Sequence, residues 1–147
     1  MALFDKILVP VDFGEPSTRA LDMAVELAKL NGASLALVHV WEIPSYGFGA
    51  ALPASVLDHL EAEARAQLAA VVASVKERVA GAQGVKEVKD YLECGAPWRE
   101  ILRMIEETKP ALVVMGTHGR RGLGHALIGS VAEKLVRMSP APVLTVR

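Results

Sequence analysis

Gly116, Gly119, Gly129 and Ser130 stand in the spacing G-x-x-G-x9-G-S, inside the stretch VVMGTHGRRGLGHALIGSVAEKL from Val113 to Leu135. Glycines let a backbone turn through positive φ and bring bare N–H groups close to a ligand. The loop feeds an amphipathic pattern that begins near Ser130, and the unpaired N–H groups and positive dipole end of a helix there suit nucleotide phosphates. Asp12, far upstream, ends the apolar run KILVPV and offers a hydroxyl acceptor at the end of a strand. The chemistry on offer is therefore anion binding by amides and hydroxyls on one side and a hydroxyl acceptor on the other.

Two common nucleotide loops do not fit. There is no G-x-G-x-x-G, and GHALIGS has the glycine spacing of a Walker A loop but places Ser130 where its lysine belongs. Ser130 also has a structural use, because Ser130 with Glu133 three residues on spells a capping box. Arg120 and Arg121 are either solvated loop charges or, for one of them, a phosphate contact. His118 and His125 flank the loop without a carboxylate or cysteine at ligand spacing, so neither a metal site nor a catalytic residue is assigned.

The elements that must position these residues follow from periodicity. KILVPV (Lys6 to Val11) and SLALVHV (Ser34 to Val40) read as buried strands, and ALVVMG (Ala111 to Gly116) as a central one, apolar throughout. VKEVKDYLE (Val85 to Glu93) alternates apolar and charged residues, as a strand near a sheet edge does, and PVLTV (Pro142 to Val146) is a last strand. Between them lie four helical patterns. The first starts at Ser17, carries Leu21, Ala24, Val25 and Ala28 and stops at Asn31-Gly32; the second, the longest, runs from Leu57 to Val79. The third opens at Pro97 with Trp98, Ile101, Leu102 and Ile105 on its stripe, and the last carries Val131, Ala132, Leu135 and Val136. His39 reads as a packed or partly exposed strand residue. Trp41, Tyr46 and Phe48 either flank a flap over a ligand or cover the sheet's end.

Strands alternating with helices argue for an α/β fold, a doubly wound parallel sheet with helices on both faces. Such sheets bind ligands beyond the carboxyl ends of their strands where strand order reverses. Asp12 and the loop after Gly116 would face each other there if the first and fourth strands are neighbours.

Composition narrows the partners. At 147 residues the chain is one domain, residues 1–147, able to bury roughly two thirds of its unfolded surface. A formal charge of −1 gives no electrostatic footprint for nucleic acid or anionic membrane. The apolar runs fall well short of the ~20 residues that span a bilayer. MALFDKILVPVDF lacks the basic start and long apolar core of a signal peptide, so a soluble, cytoplasmic protein is expected. Cys94 is the lone cysteine, which suits a reducing compartment, and it reads as a strand-end residue rather than a redox-sensitive thiol.

The glycine spacing, with ILVPVDF, LALVHV and the C-terminal LVVMGTHGRRGLGHALIGSVAEKLVRMSPAPVLTVR, resembles the universal stress protein family and its ATP-binding subgroup. The likeness covers essentially the whole chain, with a generic segment from about Trp41 to Lys89 and one departure, Ala111, where the family often has an aspartate. The resemblance implies a five-stranded parallel sheet of order 3-2-1-4-5, Rossmann-like and of the adenine nucleotide alpha hydrolase type. It implies ATP with Mg²⁺ or Mn²⁺. Pro10, Val11 and Asp12 would border adenine and ribose, Val40 would meet the adenine edge through its backbone, and Met115 and Gly116 would lie under ribose and phosphates. Gly119, Arg120, Gly129, Ser130 and Val131 would surround the phosphate chain.

Three functions fit these residues: a nucleotide-dependent regulatory module of the stress response, a slow ATPase or ATP-dependent transferase, and a dimeric interaction protein that binds no nucleotide. The intact glycine spacing and Asp12 favour the first, and the lack of a general base or Walker lysine counts against fast turnover. Val143 to Val146 would be an unblunted edge strand, and both that and the resemblance point to a homodimer joined there, with a protein partner of unknown identity.

Overall fold

The computed structural model describes residues 3–45, 51–81, 84–118 and 128–147. The chain order is β1 (Lys6–Pro10), α1 (Glu15–Asn31), β2 (Ser34–Trp41), α2 (Ala54–Val79), β3 (Val88–Cys94), α3 (Pro97–Thr108), β4 (Leu112–Gly116), α4 (Ser130–Met138) and β5 (Val143–Val146). All pairings are parallel and the sheet order is β3-β2-β1-β4-β5, as the resemblance implied.

Alternation along each strand sends successive side chains to opposite faces, and the two cores follow from it. Ile7, Val9, Leu35, Leu37, Leu112 and Val114 face one layer with buried residues of α1 and α2. Leu8, Val38, Val113 and Met115 face the other with Ile101, Met104 and Ile105 of α3 and Leu135 of α4. The central strands β1, β2 and β4 are buried almost throughout, because helices cover both their faces. β3 lies at an edge, as its mixed composition predicted, and exposes Lys89 and Asp90 on its two faces.

Local sequence explains most boundaries. α1 begins at Glu15 rather than Ser17, because Pro16 occupies its first turn, where the missing N–H costs nothing. It ends at Gly32, whose φ of 65° is the left-handed turn that favours glycine. β3 starts at Val88, three residues later than the alternation suggested. On α3 the buried stripe includes Met104, while Trp98 and Leu102 are half-buried. On α4 Val136 is exposed rather than packed. Arg103 fastens α3 to the edge strand, donating to Glu93 at 2.9 Å and to Glu100 and Glu107 at 2.7 Å, and the Glu100 and Glu107 carboxylates hold its pKa above the usual arginine value.

Candidate functional site

β1 and β4 part company at their carboxyl ends. β1 pairs with β4 only as far as Leu8↔Val113. Beyond that point β1 stays with β2 through Pro10↔Val38, and the Val11 amide donates to the Val38 carbonyl at 2.8 Å. β4 stays with β5 through Gly116↔Val146, and the Thr117 amide donates to the Val146 carbonyl at 2.8 Å. Each strand leans onto its outer neighbour, and a crevice opens between them at the point where strand order reverses.

That crevice is a cleft of about 910 Å³, within the size range of small-molecule and cofactor sites. Pro10, Val11 and Asp12 come to it from β1, Val40 from β2, Met115 and Gly116 from β4, and Gly129, Ser130 and Val131 from the start of α4. The described part of the predicted site is thus brought together. Gly119 and Arg120 lie outside the described residues, as do Arg121, His125, Tyr46 and Phe48. A hollow of about 160 Å³ between Trp41 and α2 is too small for a nucleotide.

Asp12 is held from two sides. Its amide donates to the Ser17 hydroxyl at 3.0 Å, and its Oδ1 accepts from the Gly14 amide at 2.8 Å, an Asx turn that leads into α1. A carboxylate oxygen is an acceptor of hydrogen bonds, the chemistry that a hydroxyl-bearing ligand calls for. Phe13, next along, has φ 67°, a conformation that costs a bulky residue roughly 1–2 kcal/mol. Its ring lies 4.3 Å from that of the buried His39.

The opposite wall departs from expectation in two ways. The described glycines of the loop do not use positive φ: Gly129 has φ −63°, and Gly116 is not among the positive-φ glycines. Gly116 is required by space instead, since a Cβ there would lie 2.8 Å from the Pro16 carbonyl carbon and 2.9 Å from the Ser17 nitrogen. The capping box does not form. Gly129 is the N-cap of α4, Ser130 is its first helical residue, no side chain caps the helix, and Glu133 is paired with Arg137 at 2.7 Å. The first amides of a helix have no intrahelical partner, and those of Ser130, Val131 and Ala132, all lining the cleft, form a donor cluster that no group among the described residues caps. The Gly129 amide is spent on the Thr117 carbonyl at 2.6 Å.

Among the described lining residues there is no lysine or arginine, and the carboxylates are Asp12 and Glu42. Among the described residues, positive potential comes from the N-terminus of α4. His118 Nδ1 is 2.8 Å from the buried Thr117 hydroxyl, and its Nε2 is a buried atom with no hydrogen-bond partner among the described residues. A hydroxyl on an imidazole is also how a nucleophile is activated. Thr117, only 6% exposed and tied through both backbone groups, is better suited to orienting the ring. No cluster of three metal-ligating side chains occurs among the described residues.

Lining residues that the sequence did not single out for the site include Ser17 under Asp12, Thr117 at the base of the loop, and His39, read only as a packed or partly exposed strand residue. All three line the cleft. Ser17 was signalled by DFGEPS, where a hydroxyl follows the first-turn proline and can reach back to the strand end.

Comparison with known proteins agrees with this architecture. The profile of the universal stress protein family matches residues 3–147. Universal stress protein YxiE of Bacillus subtilis is 33% identical over 150 residues, covering 99% of this chain and all of its own length. The structure of hypothetical protein MJ0577 superposes with a TM-score of 0.80 at 26% identity, covering 98% of this chain and 96% of that one. The universal stress protein of Archaeoglobus fulgidus in complex with dAMP superposes with a TM-score of 0.68 at 24% identity over 99% of both chains, a likeness of fold. The fold is of the adenine nucleotide alpha hydrolase type. The chain belongs to the universal stress protein family.

Proposed function

We propose that the cleft binds ATP, accompanied by Mg²⁺ or Mn²⁺, and that the protein is a nucleotide-dependent regulatory module of the stress response. The observation that carries this reading is the convergence of β1, β2, β4 and α4 on one cleft of about 910 Å³, with Asp12 at one side and the uncapped α4 amides at the other. Base and ribose belong against Pro10, Val11, Asp12 and Val40. Phosphates belong against Gly129, Ser130 and Val131, with Gly119 and Arg120 of the intervening loop. The dAMP bound by the Archaeoglobus fulgidus relative supports the adenosine half of this assignment.

The donor set fits a metal that arrives with the nucleotide. Such an ion neutralises phosphate oxygens and needs few protein ligands, and Asp12 and Glu42 are the carboxylates within the described lining. Holding, rather than rapid hydrolysis, suits a cleft whose described residues include no lysine and no accessible nucleophile set beside a base. The regulatory surface includes the β5 edge, where Leu144 is 38% exposed and Val143 to Val146 can pair with a second copy. No helix among the described residues is long and apolar enough to cross a membrane, and a cytoplasmic site of action is part of the proposal.

Calorimetric titration with ATP and Mg²⁺, alongside a turnover assay, tests the reading. Binding with turnover slower than about once a minute, in the range of unassisted nucleotide switches, is expected. Faster turnover assigns the protein to the enzymes, and no binding assigns it to nucleotide-free interaction proteins.

A further inference from the structure

We infer that His39 is a positioning residue that sets the Asp12 carboxylate for the nucleotide's ribose; this rests on the nucleotide reading above. His39 sits near the end of β2, buried at 8% exposure, with its Nδ1 2.7 Å from the Val11 carbonyl. A carbonyl only accepts, so Nδ1 carries the proton and donates. Val11 is thereby pinned to β2 through both backbone groups, its amide to the Val38 carbonyl and its carbonyl to the His39 ring. In a continued parallel ladder that carbonyl would take the Val40 amide. The imidazole replaces it and ends the pairing of β1 with β2 one residue before Asp12.

The same ring holds the residue on the other side of Asp12. Phe13 adopts φ 67°, and its ring packs on His39 with centroids 4.3 Å apart at an interplanar angle of 47°. A left-handed phenylalanine persists only where its surroundings over-determine it. Asp12 therefore stands between two residues that His39 fixes, one by a hydrogen bond and one by ring packing. The Asx bond from the Gly14 amide to Asp12 Oδ1, 2.8 Å long, reports whether that turn is in place.

The test combines His39→Leu, His39→Asn and Asp12→Asn, each titrated with ATP and Mg²⁺, with hydrogen exchange at the Gly14 amide measured without nucleotide. Asn can place an amide donor near the position of Nδ1. His39→Leu is expected to weaken ATP by about tenfold, the effect of one misplaced hydrogen bond, and to speed Gly14 exchange. His39→Asn should restore much of both. In the Asp12→Asn background His39→Leu should cost nothing further, because its effect runs through that carboxylate. Additive losses in the double variant, or unchanged Gly14 exchange in His39→Leu, overturn the inference. If the unaltered protein binds no adenine nucleotide, the nucleotide reading fails first and the role of His39 toward ribose falls with it, even where Gly14 exchange shows the turn has loosened.

Discussion

The Gly129 amide donates to the Thr117 carbonyl at 2.6 Å, so the chain leaves β4 and returns to α4 through one hydrogen-bonded neck. The Thr117 amide in turn donates to Val146, which connects the neck to the edge strand β5. A ligand on the α4 amides would bear directly on this neck. ATP with Mg²⁺ should therefore slow hydrogen exchange at the Gly129 and Thr117 amides more than at core amides such as Leu8. Equal effects at all three would show that the neck is not coupled to the cleft.

Gly116 is glycine because α1 is in the way. A methyl group at this position would press on Pro16 and the Ser17 nitrogen, both main-chain neighbours with little freedom to move. Gly116→Ala should lower stability by about 1–3 kcal/mol, as overpacking does, read as a drop in the urea midpoint at constant slope. Gly129 carries no such demand from its dihedral angles, since φ −63° and ψ 159° are open to any residue.

Asp12 has a structural task and a proposed binding task, and two substitutions separate them. Asn keeps an oxygen for the Gly14 amide but replaces the other carboxylate oxygen with a donor. Asp12→Asn should hold its melting temperature while ATP affinity falls about tenfold, by the loss of a charge-assisted bond. Asp12→Ala should lose the same affinity and about 1 kcal/mol of stability with the Asx turn. An Asn variant with normal affinity would assign Asp12 to the turn alone.

Much of the fold was legible because the strands carry their environment in their composition. The continuous apolar runs of β1 and β4 follow from burial on both faces, the mixed composition of β3 follows from its place at the sheet edge, and Asn31-Gly32 announces the left-handed stop. The place of the candidate site was legible in the spacing of Gly116 and Gly129 and in Asp12 at a strand end, and all three line the cleft. The sequence misled where one pattern serves two structures. Ser130 and Glu133 spell a capping box, yet the helix starts one residue earlier and Glu133 turns to Arg137. Gly116 looks like a residue chosen for its dihedral freedom, and only the tertiary approach of α1 reveals the packing constraint. The roles of His39 and Ser17 depend on contacts across strands and turns that no local pattern encodes.

Cys94 ends β3 on the exposed edge. Its pKa is raised, first by partial burial and then by the nearby Glu61 and Glu100 carboxylates, all of which disfavour the thiolate. The thiolate is the reactive form, so alkylation at neutral pH should be slower than for free cysteine, and the rate should climb with a midpoint above the ordinary value of about 8.5. A labelling profile centred below that value would mark a reactive, redox-sensitive thiol in place of an ordinary strand-end residue.

The central claim, that this cleft holds ATP, is tested most directly by purifying the protein under native conditions, denaturing it and identifying the small molecules released by chromatography. Release of adenine nucleotide, reduced in Asp12→Asn without loss of fold, is the predicted result. Protein that releases no adenine nucleotide, and takes up none when titrated with ATP and Mg²⁺, would contradict it.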